Sequence, residues 1–301
     1  MPVRVSDVSD GAAQPLMVAL DVDGTIVDHD LRLTARVRTA VRDVAAAGHQ
    51  VVIATGRSLV STQPVLDALG LETGYAVCSN GAVTARLDPA LPGGWEALEV
   101  VTFDPAPALA LLHEELPDAA FAVEVPGRGV LVAGPFPEGE LTGDLRAVAF
   151  EDLAGASATR VVVRSLEHTP QHFLQLTQRV GLKGVNYAVG WTAWLDLAPE
   201  GVTKATALEA VRQRLGVPPE ATLAVGDGRN DIEMLAWAHR SVAMGQAPAE
   251  VLEAATEIAK PVAEDGLADV LEGLLPRSGR ARRAIRTARA DRADRSRPAG
   301  P

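Results

Sequence analysis

LMVALDVDGT, residues 16–25, joins five apolar residues directly to a polar loop. A short, continuous apolar run of this kind is typical of a parallel strand that is buried on both faces. The polar stretch DVDGT (21–25) would then leave the carboxyl end of that strand. In open parallel sheets, ligands bind outside the carboxyl ends of the strands, so we expect the function to lie at this loop.

Strands and helices alternate after the loop. Residues 34–47 have a helical pattern with Thr34 as the N-cap, and VVIAT (51–55) follows as a second strand. A helix over 58–69 then leads to YAVCS (75–79), which ends at Asn80-Gly81. This order of elements predicts a parallel βαβ arrangement.

The sequence pattern changes between residues 82 and 187, where Pro and Gly are frequent and short segments typical of strands and of helices are mixed. The alternation returns with a helix over 203–215, the strand TLAVG (222–226) and a helix over 231–238. We therefore predict one doubly wound α/β core with a mostly parallel, Rossmann-like sheet, interrupted by an α+β insertion. The predicted boundaries are 14–82 and 188–276 for the core and 83–187 for the insertion, with an Arg-rich, disordered tail at 277–301.

Four polar clusters fall at the predicted carboxyl edge of the core sheet: DVDGT (21–25), TGR (55–57), Lys204, and GDGRND (226–231). Asp21 and Asp23 are separated by one residue, and two such carboxylates can take different catalytic roles. One attacks phosphorus, while the other protonates the leaving oxygen and then activates water. Carboxylates beside a phosphate need a cation between them, and their hard oxygen atoms suit Mg²⁺, with Asp227 as the distant ligand. Lys204, the Thr55 hydroxyl and nearby backbone N–H groups can bind the phosphoryl oxygens.

These four blocks, in this order, resemble the haloacid dehalogenase superfamily of phosphohydrolases. SNGA (79–82) and LDLAPEGVTKATAL (195–208), which flank the insertion, resemble its Cof-like, or type IIB, branch. The resemblance implies a cap domain inserted after the third strand and activity on small phosphorylated metabolites, often sugar phosphates.

The resemblance also assigns roles to individual residues. It makes Asp21 the nucleophile and a Mg²⁺ ligand, and Asp23 the general acid/base, whose backbone carbonyl also binds the metal. Asp227 becomes a further metal ligand. The remaining residues are phosphate binders and supporting residues: Thr55, Gly56 and Lys204 bind phosphate, and Asn230, Asp231 and Asn80 support the site.

The sequence is also compatible with two other functions. A sugar phosphomutase or phosphotransferase would use the same aspartyl-phosphate intermediate. A non-catalytic, regulatory protein that binds phosphorylated metabolites would normally have lost one of the carboxylates, whereas Asp21, Asp23 and Asp227 are all present.

The amino-acid composition indicates which partners and which cellular compartment to expect. The formal net charge is −11, and the segment 277–301 holds nine Arg against two Asp, so the rest of the chain is more acidic still. An acidic body disfavours nucleic-acid binding, which depends on clustered Lys and Arg. Cys78 is the only cysteine, and no apolar run is long enough for a signal peptide or a membrane span, which predicts a cytoplasmic protein without membrane contact. We expect a monomer or a homodimer.

Overall fold

The computed structural model describes residues 14–141, 143–180, 182, 184–190 and 193–275. The predicted Arg-rich tail at 277–301 lies outside these residues. The strands in the described residues are β1 (Met17–Leu20), β2 (Gln50–Ala54), β3 (Gly74–Cys78), β4 (Val83–Leu87), β5 (Trp95–Val100), β6 (Ala120–Val125), β7 (Gly129–Ala133), β8 (Leu145–Ala147), β9 (Arg160–Arg164), β10 (Val185–Val189), β11 (Trp194–Pro199), β12 (Thr222–Gly226), β13 (Arg240–Ala243) and β14 (Glu257–Ile258). The helices are α1 (Ala35–Ala46), α2 (Leu59–Leu69), α3 (Ala106–Glu115), α4 (Pro170–Val180), α5 (Lys204–Leu215), α6 (Ile232–Trp237), α7 (Ala249–Ala254) and α8 (Gly266–Leu274).

The larger sheet has the strand order β14-β13-β12-β1-β2-β3-β4-β5. Strands β14 to β3 are parallel, and β4 and β5 continue the sheet in antiparallel pairing. Helices α1, α2 and α8 pack on one face, and α5, α6 and α7 pack on the other. All four residues of β1 are buried, as its continuous apolar sequence predicts for a strand that is covered on both faces. The predicted doubly wound core is confirmed.

The chain reverses its direction of winding at β1. From β1 it proceeds to β2 and β3 on one side, and it returns much later to place β12 on the other side. The carboxyl ends of β1 and β12 therefore flank a topological switch point, where doubly wound sheets bind their ligands.

The smaller sheet has the order β10-β11-β9-β6-β7-β8 and is antiparallel except for the β7–β8 pair. One face packs on α3 and α4 through apolar residues such as Phe121, Val161 and Phe173. The opposite face carries Ala122, Val162 and partly buried Trp194. We call this sheet with its two helices the cap.

Strand pairing corrects both predicted ends of the insertion. The prediction began the insertion at residue 83, but β4 and β5 belong to the larger sheet. It ended the insertion at residue 187, but β11 pairs with β9 and β10 in the cap. A hairpin sequence does not reveal which sheet its strands will join, because that choice depends on tertiary pairing.

Helix ends follow local sequence chemistry. The predicted N-cap Thr34 accepts a hydrogen bond from the Val37 N–H at 3.2 Å, and Thr203 caps α5 in the same way. Within the described residues, the longest helices contain 12 residues, and none is both long and apolar enough to cross a bilayer.

Candidate active site

Lys204 lies at the centre of the predicted site. Its ammonium donates hydrogen bonds to Asp21 Oδ1 and to Asp231 Oδ1, each at 2.6 Å. Asp21 follows β1, and Lys204 begins α5, so the switch point of the sheet brings together residues 183 positions apart. All three side chains are buried, with the Lys204 side chain only 1% exposed. Such a buried ion triad is stable only because each charge has a close partner.

The second oxygen of Asp231 is also occupied. Asp231 Oδ2 accepts hydrogen bonds from the backbone N–H groups of Asp227 and Gly228, at 3.0 and 2.9 Å. Asp231 therefore shapes the loop after β12 with one oxygen and orients Lys204 with the other. The supporting role that the sequence predicts for Asp231 stays a prediction.

Burial and the mutual repulsion of the carboxylates strongly shift the pKa values of the acidic groups in the site. Burial, together with the charge of Asp231, raises the pKa of Asp21 to about 7, although Lys204 acts in the opposite direction. Burial and the charge of Asp21 raise the pKa of Asp227 to about 8. For Lys204, burial lowers the pKa of the ammonium, but the two carboxylates outweigh that effect and the pKa is raised. The site holds more negative charge than Lys204 alone can balance.

Asp21, Asp227 and Asp231 form a cluster in which one carboxylate oxygen from each lies within 4.8 Å of the others. Hard oxygen donors in a site with excess negative charge suit a divalent cation such as Mg²⁺. Asp21 and Asp227 line the cavity above the site, whereas Asp231 does not, so Asp21 and Asp227 are the carboxylates better placed to hold the cation beside a substrate. The residues present therefore fit the predicted metal.

Gly24 allows the loop after β1 to approach Asp227. Its φ is +82°, and a Cβ atom at this position would lie 1.9 Å from Asp227 Oδ2. The Thr25 hydroxyl donates to Asp227 Oδ1 at 3.4 Å from the same loop. Only glycine fits this conformation and this contact together, which explains the glycine of DVDGT.

Asp23 has a different environment from Asp21. Its side chain is 52% exposed and forms a two-armed ion pair with Arg57, with the Arg57 Nε–Asp23 Oδ2 distance at 2.9 Å. Its carboxylate is not in the oxygen cluster formed by the described acidic residues. The metal contact predicted for Asp23 is its backbone carbonyl, and that contact stays a prediction.

Thr55, Gly56, Asn80 and Asn230 form a second polar group beside the carboxylates. The Thr55 Oγ1 accepts from the Arg57 N–H at 3.1 Å, and the Asn230 side-chain amide donates to Asn80 Oδ1 at 2.9 Å. A Cβ on Gly56 would lie 3.1 Å from Asn80 Oδ1. The structure thus brings these predicted residues together at the carboxyl edge of the sheet.

Gln246 is a site residue that the sequence did not indicate to us. Its side-chain N–H group donates to the Gly24 carbonyl at 2.6 Å and to Asp227 Oδ2 at 3.2 Å. Its Oε1 accepts from the Val262 N–H at 2.9 Å. The only signal in the sequence was its position directly after SVAMG (241–245), a segment with the pattern of a short strand that would end at the same edge of the sheet.

A cavity of about 650 Å³ opens above the carboxylates, between the core and the cap. Asp21, Asp23 and Asp227 line its floor, and β6, β9 and β11 of the cap line its opposite wall. Residue type alone makes Glu124, Arg128 and Trp191 candidates for substrate contact in the cap. Glu124 lines the cavity, and exposed Arg128 does not. The third, Trp191, lies outside the described residues.

The cap touches the core at Ser79. The Ser79 hydroxyl donates to the Glu124 carboxylate at 2.9 Å from each oxygen. Ser79 and Asn80 have φ values of +51° and +54°, a left-handed conformation that is costly for residues other than glycine. The strained turn after β3 therefore holds both the Asn230 contact and the cap contact.

Curated relatives resemble the chain over most of its length. The 5-amino-6-(5-phospho-D-ribitylamino)uracil phosphatase YitU of Bacillus subtilis is 26% identical over 270 residues, which cover 86% of this chain and 97% of that protein. A phosphoglycolate phosphatase of Natronomonas pharaonis is 29% identical over 256 residues, which cover 85% of this chain and 96% of that protein.

Solved structures share the fold. A sugar phosphatase of haloacid dehalogenase subclass IIB superposes with a TM-score of 0.71 at 22% identity, over 86% of this chain and 98% of that one. A haloacid dehalogenase-like hydrolase from B. subtilis gives a TM-score of 0.71 at 21% identity, over 86% and 99% of the two chains. The predicted fold class, a Rossmann-like core with an α+β cap, is confirmed.

The sequence profile of the haloacid dehalogenase-like hydrolases matches residues 18–90 and 146–271, which include every predicted site residue. The match spans more than half of the chain. Together with the carboxylate cluster at the switch point, it shows that this chain is an enzyme of the haloacid dehalogenase-like hydrolase family.

Proposed function

We propose that the enzyme hydrolyses small phosphomonoesters by way of an aspartyl-phosphate on Asp21. The observation that carries the proposal is the buried contact of Lys204 with Asp21 and Asp231 beneath the cavity. It keeps a carboxylate nucleophile next to a fixed positive charge, where a phosphoryl group can be bound and attacked.

Mg²⁺ held by Asp21, Asp227 and the Asp23 backbone carbonyl would neutralise phosphoryl charge and lower the repulsion between substrate and carboxylates. Lys204 and the Thr55 hydroxyl bind further phosphoryl oxygens from the protein side. Lys204 also favours the ionised form of Asp21, which the reaction requires because burial alone would keep that carboxyl protonated.

The first step is attack by an Asp21 carboxylate oxygen on phosphorus, in line with the ester oxygen. The new O–P bond forms while the bond from phosphorus to the ester oxygen breaks. Asp23 donates a proton to the departing alkoxide, which leaves as an alcohol. The different surroundings of the two carboxylates support this division: Asp21 is buried, whereas Asp23 faces the cavity and is half-exposed.

The second step returns the enzyme to its starting state. Asp23, now ionised, takes a proton from a water molecule whose oxygen attacks the same phosphorus atom. The bond from phosphorus to the Asp21 oxygen breaks, and inorganic phosphate leaves. Arg57 holds Asp23 at the mouth of the site through its ion pair, within the loop that also carries Thr55.

The substrate in this proposal is a small phosphorylated metabolite, such as a sugar phosphate. The cavity of about 650 Å³ falls within the range of small-molecule sites, and the cap closes it from above. One relative is named as a phosphatase of 5-amino-6-(5-phospho-D-ribitylamino)uracil, a phosphate ester of modest size, which supports the same class of substrate.

Replacing the nucleophile tests the mechanism. We expect Asp21→Asn to lower kcat on p-nitrophenyl phosphate with Mg²⁺ by about 10³-fold or more, because an amide is a far weaker nucleophile. The melting temperature should not fall, since the substitution also removes one charge from a crowded acidic site. Asp67→Asn, at an exposed carboxylate on α2, serves as the control and should keep full activity. Normal turnover by Asp21→Asn would rule out this mechanism.

A further inference from the structure

The cap wall of the cavity carries a polar pair on neighbouring strands. Glu124 on β6 lies directly opposite Arg160 on β9, and both residues line the cavity. The apolar residues beside them along the strands, Val123 and Val161, point to the other face and pack on α3 and α4. Strand alternation thus presents an acceptor and a donor side by side to whatever occupies the cavity.

Asp196 and Trp194 on β11 fix the position of Arg160. The Arg160 Nε donates to Asp196 Oδ1 at 2.5 Å, and the Trp194 indole N–H donates to Asp196 Oδ2 at 3.0 Å. The guanidinium carbon of Arg160 also lies 5.8 Å from the centre of the Trp194 ring. Both oxygens of Asp196 are therefore occupied within this triad.

The outer end of Arg160 has no such partner. Among the described residues, no hydrogen-bond acceptor contacts its two terminal amino groups, although the side chain is only 11% exposed. The Glu124 carboxylate accepts a hydrogen bond from the Ser79 hydroxyl and interacts with the Thr159 side chain. A carboxylate offers about four lone-pair sites, so the Glu124 oxygens can still accept from a ligand. A largely buried guanidinium with free donors beside a carboxylate with free lone pairs is suited to a ligand that both accepts and donates hydrogen bonds.

Charge decides which ligand fits. Each arginine that lines the cavity within the described part of the chain is already ion-paired: Arg57 with Asp23, Arg160 with Asp196 and Arg229 with Glu250. The lining also includes further acidic residues, namely Asp30, Glu124, Glu138 and Glu140. A carboxylate or a second phosphate on the leaving group would meet no uncompensated positive charge on this wall.

We infer that the Glu124–Arg160 pair binds neighbouring hydroxyl groups of an uncharged, polyhydroxylated leaving group, and that this wall rejects leaving groups with a second anionic group. Each hydroxyl oxygen accepts from Arg160, and its proton is donated to Glu124. This inference rests on the proposed phosphatase function and adds the chemical class of the alcohol that leaves. It separates alditol and sugar phosphates from phosphorylated acids.

Two matched pairs of esters test the selectivity. Glycerol 3-phosphate and 3-phosphoglycerate differ by a hydroxymethyl group against a carboxylate, and so do sorbitol 6-phosphate and 6-phosphogluconate. We expect kcat/KM for the alditol phosphate to exceed that for its acid about tenfold or more in at least one pair. Phosphate release with Mg²⁺ is the readout, and p-nitrophenyl phosphate reports whether the core chemistry works at all.

Asp196→Asn provides a gain-of-activity test that misfolding cannot imitate. Removal of this charge leaves Arg160 uncompensated, so the ratio of alditol to acid activity should fall about tenfold through a rise in activity on the acid. Asp144→Asn is the matched control, because Asp144 is the exposed partner of Arg146 at the edge of the same sheet. It should keep the wild-type ratio.

Arg160→Met tests the donor side of the pair. The ratio of kcat/KM between the preferred alditol phosphate and p-nitrophenyl phosphate should fall about tenfold, since the aryl ester has no hydroxyl groups to recognise. Arg146→Met is the matched control and should leave this ratio unchanged.

The outcomes are distinguishable. Hydrolysis of p-nitrophenyl phosphate with equal or greater activity on the acids in both pairs would overturn the inference and leave the proposed function standing. An unchanged ratio in Asp196→Asn would overturn it as well. Absence of phosphate release from every ester, the aryl ester included, would refute the proposed function and this inference with it.

Discussion

Lys204 shows how one residue organises the site. An ammonium group that is almost fully buried would normally lose its proton, but Asp21 and Asp231 hold it in the charged form. Removal of the lysine would leave two carboxylates buried together without a counter-charge, at a cost of about 3–5 kcal/mol. In the proposed function, the same side chain therefore serves both the stability of the core and the binding of phosphate.

Gly24 controls how closely the loop after β1 approaches Asp227, and substitution of this glycine tests the metal site. Gly24→Ala adds a methyl group where Asp227 Oδ2 lies 1.9 Å away, so the carboxylate must move. We expect Mg²⁺ affinity, measured by calorimetry, to fall about tenfold or more, as it does when metal-site geometry is disturbed. Gly48→Ala is a close control, because Gly48 also has a positive φ, of +94°, but has no neighbouring atom within 4 Å. It should cost about 1 kcal/mol of stability and leave metal affinity unchanged.

The raised pKa values of Asp21 and Asp227, about 7 and about 8, predict pH-dependent metal binding. Both lie above the ordinary value of 3.8, so the metal-free folded protein binds protons that the unfolded chain releases. The free energy of unfolding without metal should therefore decrease as the pH rises from about 4 to about 8 because of these groups.

Mg²⁺ can bind only when these carboxyl groups have lost their protons. Its Kd should fall about tenfold per pH unit for each proton released between pH 6 and 8 and level off above pH 8. Calorimetry in two buffers of different ionisation enthalpy measures the proton release directly. A Kd that does not vary over this range would contradict the prediction, and Asp227→Asn should weaken the dependence.

At the scale of single elements, α5 places Lys204 by means of its first turn. Thr203 caps the helix, and Gly81 packs against it so closely that a Cβ on Gly81 would lie 2.2 Å from the Thr203 carbonyl oxygen. The turn after β3 and the start of α5 are therefore fitted to each other. The position of the ammonium group depends on that fit.

Gly81→Ala should displace the start of α5 and with it Lys204. We expect KM for p-nitrophenyl phosphate to rise and kcat to fall, about tenfold in kcat/KM, because a shift of about 1 Å in a phosphate-binding group is costly. Gly216→Ala strains the other end of the same helix, where φ is +64° and no atom lies within 4 Å. That control should lose stability but keep its kinetic constants.

The elements of the core could be predicted from sequence because each has a local cause. The buried run before Asp21 forms β1, and Thr34, Ser58 and Thr203 cap helices close to where the pattern places them. The boundary at residue 83 was wrong for a physical reason. The outer strand β5 is mostly exposed and includes Glu96 and Glu99, so its sequence does not distinguish the edge of the core from the start of the cap.

The core and the cap contribute different parts of the site. In the proposed function, the core carries out the phosphoryl chemistry at the switch point of its sheet, and the cap provides the wall that faces the leaving group. The Ser79–Glu124 hydrogen bonds join the two parts. This contact between core and cap therefore also positions half of the proposed recognition pair.

Ser79→Ala tests this connection. Loss of hydrogen bonds to a charged partner costs about 1.5–3 kcal/mol, so the substrate-free protein should open more readily. We expect a larger radius of gyration by small-angle X-ray scattering and a KM raised several-fold. Ser241→Ala removes another buried serine hydroxyl, one that contacts Thr256 far from the cap. If both variants scatter like the wild type, the contact does not control closure.

The cluster around Asp21, Lys204 and Asp227 could be predicted because its residues lie in short motifs at the ends of strands or at the start of a helix. In the cap, residue type suggested Glu124 alone of the three residues Glu124, Arg160 and Asp196. They come from three strands whose pairing brings them together, and nothing in the local sequence marks Arg160 or Asp196. The contacts of Gln246 likewise depend on the packing of a distant loop.

The position of β1 has a consequence for synthesis on the ribosome. β1 pairs with β2, which follows it closely in the sequence, but its other neighbour, β12, follows roughly 200 residues later. At typical translation rates this delay lasts about 10–40 s. During that time an apolar strand has one unpaired edge, which can bind other chains. Nascent chains of this protein should therefore depend on chaperones until β12 emerges and pairs with the free edge of β1, next to Asp21.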